Sequence, residues 1–250
     1  MNRPDVQRLA RRIRESDDVL LHTGPALLAG TGLPTDRLAE TVWGEPDGQF
    51  SIDRFETEPE AVWADWLEFW DGPVDPATVS PQPVHERVAE LVAANHVSTV
   101  VTESVFGLFR EAGVAAEDCI QFHGRVDEAR CRHCGRADDA APAQAVGHRQ
   151  CPVCLSTVGP GIVLAGEAPS RSDRLRAWTA AESADLYLAV GTQLAVHPTA
   201  ENAERAVETG AELVVIGDRP TALDGLADRR LDADPAGTLA RLRDALTIWG

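Results

Sequence analysis

Two pairs of closely spaced cysteines constrain this chain more than any other feature of its sequence. The first Cys-x-x-Cys turn holds Cys131 and Cys134. The second turn, after sixteen intervening residues, holds Cys151 and Cys154. Two such turns can supply four thiolates to one tetrahedral metal ion, most often zinc. Because four protein ligands leave no open coordination position, this Zn²⁺ would stabilise a small module and take no part in chemistry.

Two disulfides, or four unrelated cysteines, are the alternative interpretations of this pattern. The paired spacing argues against both, and so does a polar, amphipathic stretch at residues 1–14 with no signal-peptide core. His133 and His148 lie in the same stretch and could replace a thiolate, but with four thiolates available we expect them at the surface. The fifth cysteine, Cys119, lies in an apolar stretch and is expected to be a small buried side chain.

The charge of the chain narrows the range of its partners. The 250 residues carry a formal net charge of −17, which would repel the phosphates of nucleic acid across most of the surface. The sequence therefore argues against a nucleic-acid partner. It contains no apolar run approaching the roughly 18 residues of a membrane-spanning helix, so we expect a cytoplasmic protein with no membrane partner.

Short apolar runs alternate with helical patterns along most of the chain. Strands are predicted at 19–23, 97–102, 117–122, 185–190 and 213–216, and helices at 4–16, 83–95, 171–182, 198–208 and 235–247. This alternation predicts an α/β fold, a parallel sheet with helices on both faces. Residues 38–80 contain four of the six Trp and are interpreted as a helical insertion, whose aromatic side chains pack it against the main body.

Five residues lie just past predicted strands. They are, in chain order, Gly24, Thr102, His123, Gly191 and Gly217. Because ligands of open α/β sheets bind at the carboxyl ends of the strands, we expect these residues to converge on one cleft. The turn at Gly24 precedes a predicted helix start, where such folds place a dinucleotide pyrophosphate, although Pro25 has no amide to donate.

The order of these motifs resembles that of the sirtuins, the NAD-dependent protein-lysine deacylases. The resemblance covers nearly the whole chain, from Val19 to Leu239. It rests on a series of segments: the Gly24 turn, Gly32-Leu33-Pro34 with Arg37, Thr102 with Gly107-Leu108, His123-Gly124 ahead of the four cysteines, Pro160 to Glu167, Gly191-Thr192, Val196-His197-Pro198 and Val214-Val215-Ile216.

The sirtuin resemblance implies two domains. A Rossmann-like NAD-binding domain would contain residues 1–37, 81–125 and 159–250. A small domain would combine the helical insertion, residues 38–80, with the zinc-binding module, residues 126–158. The tunnel for the acylated lysine would lie between the two domains.

The resemblance also implies a reaction and the residues that perform it. In the sirtuin reaction the acyl oxygen of an acylated protein or peptide attacks the nicotinamide ribose of NAD, nicotinamide leaves, and a histidine takes a proton from a ribose hydroxyl. His123 matches this general base in motif and position, and imidazole suits the task because its pKa lies near the operating pH. The positions that match NAD-contacting motifs are Gly24, Pro25, Ala26, Arg37, Thr102, Glu103, Ser104, Phe106, Gly191, Thr192, Gly217 and Asp218.

Several of these positions depart from the residues that the resemblance implies. A Gly-Ala-Gly loop reads Gly24-Pro25-Ala26, a Thr-Gln-Asn-Ile-Asp segment reads Thr102-Glu103-Ser104-Val105-Phe106, a Pro-Asp-Phe-Arg motif reads Pro34-Thr35-Asp36-Arg37, and Ala165 replaces the Phe of a Phe-Gly-Glu loop. Glu103 would add a negative charge near the ribose or the pyrophosphate. Each buried polar partner that is lost costs about 1–3 kcal/mol, so these departures predict weakened or altered turnover.

Three functions remain open at this point. The first is a divergent NAD-dependent deacylase that uses His123 as its base. The second is a catalytically inactive module that binds NAD, ADP-ribose or an acylated peptide. The third, ADP-ribosyl transfer, is suggested only by analogy of fold. Release of nicotinamide in the presence of an acetyl-lysine peptide would separate the first from the second, and labelling of protein by NAD without an acyl group would indicate the third.

Overall fold

A computed structural model describes residues 3–29, 31–33, 35–45, 47–70, 79–138, 150–195 and 199–247, and for residues 35–37 and 138 it describes the backbone alone. Several predicted features lie outside this part of the chain. They are Pro34, His148, the segment 196–198 and the side chain of Arg37.

The described strands and helices alternate over most of the chain. The strands are β1 (Val19–Thr23), β2 (Thr99–Thr102), β3 (Cys119–Gln121), β4 (Gly124–Cys131), β5 (Ala137–Asp138), β6 (Val158–Ile162), β7 (Leu186–Val190), β8 (Glu212–Gly217) and β9 (Arg229–Asp232). The helices are α1 (Arg3–Arg14), α2 (Thr35–Trp43), α3 (Ile52–Thr57), α4 (Pro59–Trp70), α5 (Pro83–Ala93), α6 (Leu108–Glu111), α7 (Arg171–Ser183), α8 (Thr199–Glu208) and α9 (Pro235–Thr247), and a 3₁₀ turn spans Pro25–Leu28.

Six of the described strands form one parallel sheet in the order β3-β2-β1-β7-β8-β9. Every residue of β1 and of β7 is buried, as expected for central strands covered on both faces. From β1 the chain winds outward through β2 and β3, and it later returns beside β1 to continue through β7, β8 and β9. The switch point of this topology, where α/β sheets bind ligands, therefore lies between β1 and β7.

Helices cover both faces of the parallel sheet, which confirms the predicted fold class. On one face α1, α5 and α9 contribute side chains such as Leu9, Val88 and Leu242 to a core with the sheet residue Leu21. On the other face α7 and α8 contribute mainly alanines, including Ala177 and Ala203. These small side chains let the two helices lie close to the sheet.

A second, antiparallel sheet in the order β5-β4-β6 packs against α3 and α4. Trp63 and Trp66 are fully buried in the apolar cluster between them, and Trp63 Nε1 donates to the carbonyl oxygen of Val158 at 2.8 Å. This shared core supports our proposal that residues 38–80 and 126–158 form one small domain. The proposed boundary at residues 125 and 126 falls inside β4.

Strands β4, β5, β6 and β9 have no counterpart among the strands predicted from sequence. The β6 segment reads Val-Gly-Pro-Gly-Ile, a composition typical of a turn. Strand β4 carries the charged residues Arg125 and Glu128, which pair with each other at 3.0 Å, and β9 contains Leu231 as its single apolar residue. In these strands, tertiary pairing outweighs local preference. Strand β2 begins at Thr99, two residues later than predicted.

Among the described helices, none combines the length and the apolar character that crossing a bilayer requires.

Candidate functional site

The four cysteines of the two turns lie together as a potential metal centre. Their Sγ atoms are all within 4.8 Å of one another. Cys131 Sγ lies 3.4 Å from Cys154 Sγ, and Cys134 Sγ lies 3.6 Å from Cys151 Sγ. A tetrahedral zinc with bonds of about 2.3 Å places its sulfurs roughly 3.8 Å apart. The spacing therefore fits one zinc ion, as the sequence predicted.

The two cysteine turns share one backbone shape. In each, the residue after the second cysteine donates to the carbonyl oxygen of the first: Gly135 to Cys131 at 3.0 Å, and Leu155 to Cys151 at 2.9 Å. Both donors have positive φ, 73° at Gly135 and 62° at Leu155. Glycine adopts this conformation without strain, whereas Leu155 adopts it with an exposed apolar side chain.

Neither His133 nor Cys119 belongs to the potential metal centre. His133 is exposed and does not belong to the ligand cluster, as expected. Cys119 is buried in the core of the parallel sheet, and burial raises the pKa of its thiol to about 11. A thiol in this environment is inert, which agrees with its predicted role as a small apolar side chain.

At the switch point the chain segments after β1 and β7 cross in backbone contact. Gly24 N donates to the carbonyl oxygen of Val190 at 3.1 Å, and Ala26 N donates to that of Gly191 at 3.3 Å. Gly191 has a φ of 65°, which favours glycine. Pro25 has no amide hydrogen, so Gly24 and Ala26 provide the first amides of this turn. Both amides are bonded to the neighbouring segment, although the turn was expected to bind a pyrophosphate.

Substitution of Gly24 by Ala is expected to destabilise the protein by about 1–3 kcal/mol or more. A Cβ on Gly24 would lie 2.4 Å from the Gly191 carbonyl oxygen and 2.5 Å from Thr192 Cα, and backbone atoms cannot move aside easily. The matched control is Gly217→Ala at the end of β8, where a Cβ meets nothing within 4 Å. Urea denaturation of both variants measures the difference, and equal midpoints would contradict the steric argument.

The segment after β2 forms a tight turn that fixes Glu103. Thr102 Oγ1 accepts a hydrogen bond from Ser104 N at 3.1 Å, and Ser104 Oγ accepts one from Phe106 N at 3.1 Å. Phe106 is buried and packs edge-on against Trp70, with ring centroids 6.1 Å apart. Phe106 therefore belongs to the apolar core of the insertion.

The side chain of Glu103 is held by two other strands of the sheet. Thr192 Oγ1 donates to Glu103 Oε1 at 2.5 Å, and His22 Nε2 lies 3.1 Å from the same oxygen, with an alignment short of a linear hydrogen bond. His22 Nδ1 in turn lies 2.7 Å from the Tyr187 hydroxyl. Burial alone would raise the pKa of Glu103, but the interactions with His22, Thr192 and His123 outweigh it and hold that pKa below its usual value.

His123 lies just after β3 at the same edge of the sheet. Its carbonyl oxygen accepts a hydrogen bond from Val163 N at 2.8 Å. Trp43, at the end of α2, donates through Nε1 to the Val163 carbonyl oxygen at 2.9 Å and places its ring 5.6 Å from that of His123. Burial lowers the pKa of His123, and the nearby Glu103 carboxylate partly opposes this effect. A neutral imidazole can accept a proton, which is what a general base requires.

Sequence reasoning did not identify Trp43, His22 and Tyr187 as site residues. Trp43 was interpreted as packing for the insertion, and no motif distinguished it from the other Trp residues. His22 and Tyr187 did carry a signal, because each is a large side chain with a polar group inside a fully buried central strand.

The parallel sheet arranges the predicted site residues along one edge, in the order His123, Thr102, Gly24, Gly191 and Gly217. Asp218 follows β8 and is exposed, and the contacts described above tie Glu103 to Thr192 at the middle of the edge. The side chain of Arg37 lies outside the described residues.

The cleft edge retains polar atoms and open space that fit a dinucleotide. Thr23 Oγ1 at the end of β1 and Gln121 Oε1 at the end of β3 are buried and without a hydrogen-bond partner among the described residues. Space above Gly217 is open, since a Cβ there would meet no atom within 4 Å. Buried polar atoms are normally paired, so these two are suited to a polar ligand.

The first cysteine turn is also bonded to the segment that follows β6. Arg132, between two of the thiols, binds both carboxylate oxygens of Glu167 at 2.9 and 2.8 Å and donates to the Pro160 carbonyl oxygen at 2.6 Å. Glu167 also accepts a hydrogen bond from Leu164 N at 2.9 Å. Ala165 is buried, and its backbone pairs with residues 50 and 52 of the insertion. The metal module and the insertion together shape residues 160–167.

Comparison with known proteins adds family relationships to this geometry. The sequence profile of the Sir2 family matches residues 29–198. An NAD-dependent protein deacetylase 1 of Pyrobaculum aerophilum is 31% identical over 248 residues, covering 97% of this chain and 95% of the relative. A solved Sir2 homologue in complex with NAD has a TM-score of 0.81 at 25% identity, covering 97% and 94% of the two chains. A solved Sir2 protein bound to acetylated peptide has a TM-score of 0.79 at 22% identity, covering 97% and 99%.

Proposed function

The chain belongs to the Sir2 family, and we infer from this membership that it is an NAD-dependent protein-lysine deacylase. The observation that carries the inference from family to activity is the position of His123. This imidazole lies at the carboxyl edge of the parallel sheet and is kept neutral by burial. Its carbonyl oxygen accepts a hydrogen bond from Val163 N, in the segment that the metal module shapes.

NAD is the cofactor of this activity, and bound NAD supplies the nicotinamide–ribose bond whose cleavage drives removal of the acyl group. We propose that the chain holds it along the edge from His123 to Gly217, with Thr192 and the polar atoms of Thr23 and Gln121 among its partners. His123 would accept the proton of a ribose hydroxyl on a ring nitrogen. The ring of Trp43 packs against one side of the imidazole, with ring centroids 5.6 Å apart.

The partner in this proposal is an acylated protein or peptide. A Sir2 protein of the same fold has been solved with an acetylated peptide, which supports this choice of substrate class. In this chain Ala165 stands where the resemblance implies a Phe, and its neighbours Val163 and Leu164 are buried beside Trp43. A cytoplasmic location belongs to the same proposal, and it is supported by five cysteines of which none forms a disulfide.

The orientation of Glu103 favours the enzyme over a catalytically inactive binding module. The carboxylate is bound by Thr192 and lies against His22, so the charge that replaces an expected Gln does not project freely into the cleft. Release of free nicotinamide from NAD and an acetyl-lysine peptide tests the proposal. Absence of any release would contradict it, and transfer of label from NAD to protein without an acyl peptide would indicate ADP-ribosyl transfer.

Addition of NAD is expected to raise the melting temperature of the protein. A ligand at a hundredfold excess over its dissociation constant stabilises the folded state by about 2.7 kcal/mol, which a thermal shift readily detects. Gly217→Leu, which fills open space at the cleft edge, is expected to reduce the shift. The matched control is Gly225→Leu in the segment between β8 and β9, where a Cβ also meets nothing within 4 Å. Equal shifts in the two variants would contradict the placement of NAD along this edge.

A further inference from the structure

A cavity of about 800 Å³ lies between the first cysteine turn, the segment after β6 and the start of α7. Its volume is within the range of about 300–1,000 Å³ that is typical of ligand-binding pockets, and the deacylase mechanism proposed above does not use it. The described residues that line it include four arginines: Arg130, Arg132, Arg171 and Arg174. They also include two carboxylates, Glu167 and Asp173. We call this space the arginine cavity.

The two carboxylates of the arginine cavity are engaged by three arginines. Glu167 binds Arg132 through both of its oxygens, at 2.9 and 2.8 Å. Asp173 lies 3.7 Å from Arg130 through one oxygen and 3.7 Å from Arg176 through the other. Within the described lining, no carboxylate is therefore left to balance a further cation.

Arg171 and Arg174 are the cations without such a partner. Both are exposed in the first turns of α7, three residues apart and hence on one face of the helix. No ion pair or side-chain hydrogen bond joins either of them to another described residue. The helix start is not a free anion site, because Ser170 Oγ accepts a hydrogen bond from Asp173 N. In a chain with 40 acidic and 23 basic residues, two adjacent unpaired arginines form a local reversal of charge.

The arginine cavity shares a residue with the surroundings of the proposed catalytic base. Val163 lines the cavity, and its N donates to the His123 carbonyl oxygen at 2.8 Å. Leu175 of α7 also lines the cavity and is 63% exposed. An extended peptide advances about 3.3–3.6 Å per residue, so residues a few positions from an acyl-lysine bound beside His123 can reach this space.

We propose that the arginine cavity binds an acidic stretch of the acylated protein or peptide, whose carboxylates pair with Arg171 and Arg174. The inference rests on the proposed function for the identity of the partner, and it adds a preference among substrates. The net charge of −17 would repel an acidic peptide from most of the surface, whereas the cavity offers two unpaired cations. The apolar side chains of Val163 and Leu175 favour a peptide over a free inorganic anion, because burial against carbon atoms stabilises apolar surface.

The test compares the binding of two fluorescent acetyl-lysine peptides, measured by anisotropy without NAD. One peptide carries two Glu on each side of the acetyl-lysine, and the other carries Gln at these positions. At low ionic strength we expect the wild type to bind the acidic peptide about three- to tenfold more tightly, as two partly exposed ion pairs would allow. In Arg171→Gln/Arg174→Gln the ratio of the two dissociation constants is expected to fall to about one.

Arg8→Gln/Arg11→Gln is the matched control, because it removes the same two charges from exposed positions of α1, outside the described lining of the cavity. This variant is expected to keep the preference for the acidic peptide. An equal loss of preference in the control would mean that net charge alone governs binding, and it would overturn the proposal. Arg171→Glu/Arg174→Glu is expected to reverse the preference, so that a peptide with Lys at the flanking positions binds more tightly than the acidic one.

Two further outcomes contradict the proposal. Equal affinities of the wild type for the acidic and the neutral peptide overturn it, and so does a preference that persists in Arg171→Gln/Arg174→Gln. Inorganic phosphate alone is the second probe. If phosphate raises the melting temperature of the wild type but not of this variant, while the peptides show no preference, the cavity takes a free anion and the assignment to the substrate is wrong.

Kinetics separates a failure of this inference from a failure of the proposed function. If the protein releases nicotinamide, the acidic peptide is expected to have the lower KM by the same factor, at an unchanged kcat. Nicotinamide release with equal KM values and equal affinities overturns the role of the arginine cavity and leaves the deacylase proposal standing. A binding preference that depends on Arg171 and Arg174, without nicotinamide release, supports the cavity as a peptide site and contradicts the deacylase.

Discussion

Substitution of His123 by Ala is expected to lower kcat/KM for nicotinamide release from NAD and an acetyl-lysine peptide by about 10²- to 10⁴-fold. The imidazole is a neutral base at the cleft edge, with the Glu103 carboxylate near enough to favour the protonated form. Alanine removes the proton acceptor without introducing a new charge. The initial rate of nicotinamide production at several peptide concentrations measures the effect.

His96→Ala is the matched control for this experiment. His96 is a half-buried histidine in the turn before β2, away from the carboxyl edge of the sheet. Its substitution is expected to leave nicotinamide release within a factor of about two of the wild type, because catalysis depends on groups placed at the reacting atoms. A similar loss of rate in both variants would mean that the effect reflects general disruption, and it would contradict the role of His123 as a base.

Removal of the metal is expected to have the largest effect on stability. Structural zinc binds to tetrathiolate-type sites with apparent free energies of about 10–16 kcal/mol in small peptides, and this energy contributes to folding. Cys131 and Cys151 are buried in the same core as Trp63. Loss of the zinc would therefore leave two buried cysteines without a metal ion inside the small domain. Cys154→Ser is expected to release the zinc and to lower the melting temperature by about 10 °C or more. Elemental analysis and thermal denaturation measure the two effects.

Cys119→Ala is the control for the metal experiment. Cys119 is also a buried cysteine, but it lies in the core of the parallel sheet and outside the ligand cluster. This variant is expected to retain one zinc per chain and to be destabilised only by the small loss of packing that accompanies a truncated buried side chain. A protein that melts at the same temperature with and without zinc would contradict the structural role of the site.

Much of the large sheet could be predicted from the sequence because its strands are short apolar runs between helical patterns. Strand β1 was predicted with its observed bounds, and α9 was predicted with both of its ends. The metal centre could also be predicted, since the spacing of the four cysteines is a local property of the sequence. The position of His123 followed from its place after a predicted strand, together with the family resemblance.

Contacts between distant parts of the chain could not be predicted from the sequence. His22 and Tyr187 are 165 residues apart, and only the pairing of β1 with β7 brings them together. The contact of Trp43 with His123 depends on how the insertion packs over the segment after β6. The sequence of β6 is typical of a turn. The segment is nevertheless a strand, because its hydrogen bonds to β4 outweigh the preferences of its glycines and its proline.

The bond between Arg132 and Glu167 connects the oxidation state of the thiols to the geometry of the cleft. Arg132 is flanked by Cys131 and separated from Cys134 by one residue, and its guanidinium anchors the segment that ends at Glu167. Oxidation of the cysteines would release the metal and unfold the turn that carries this guanidinium. The segment beside His123 would then lose its anchor. Under oxidising conditions the protein would therefore lose activity, although the four cysteines take no part in its chemistry.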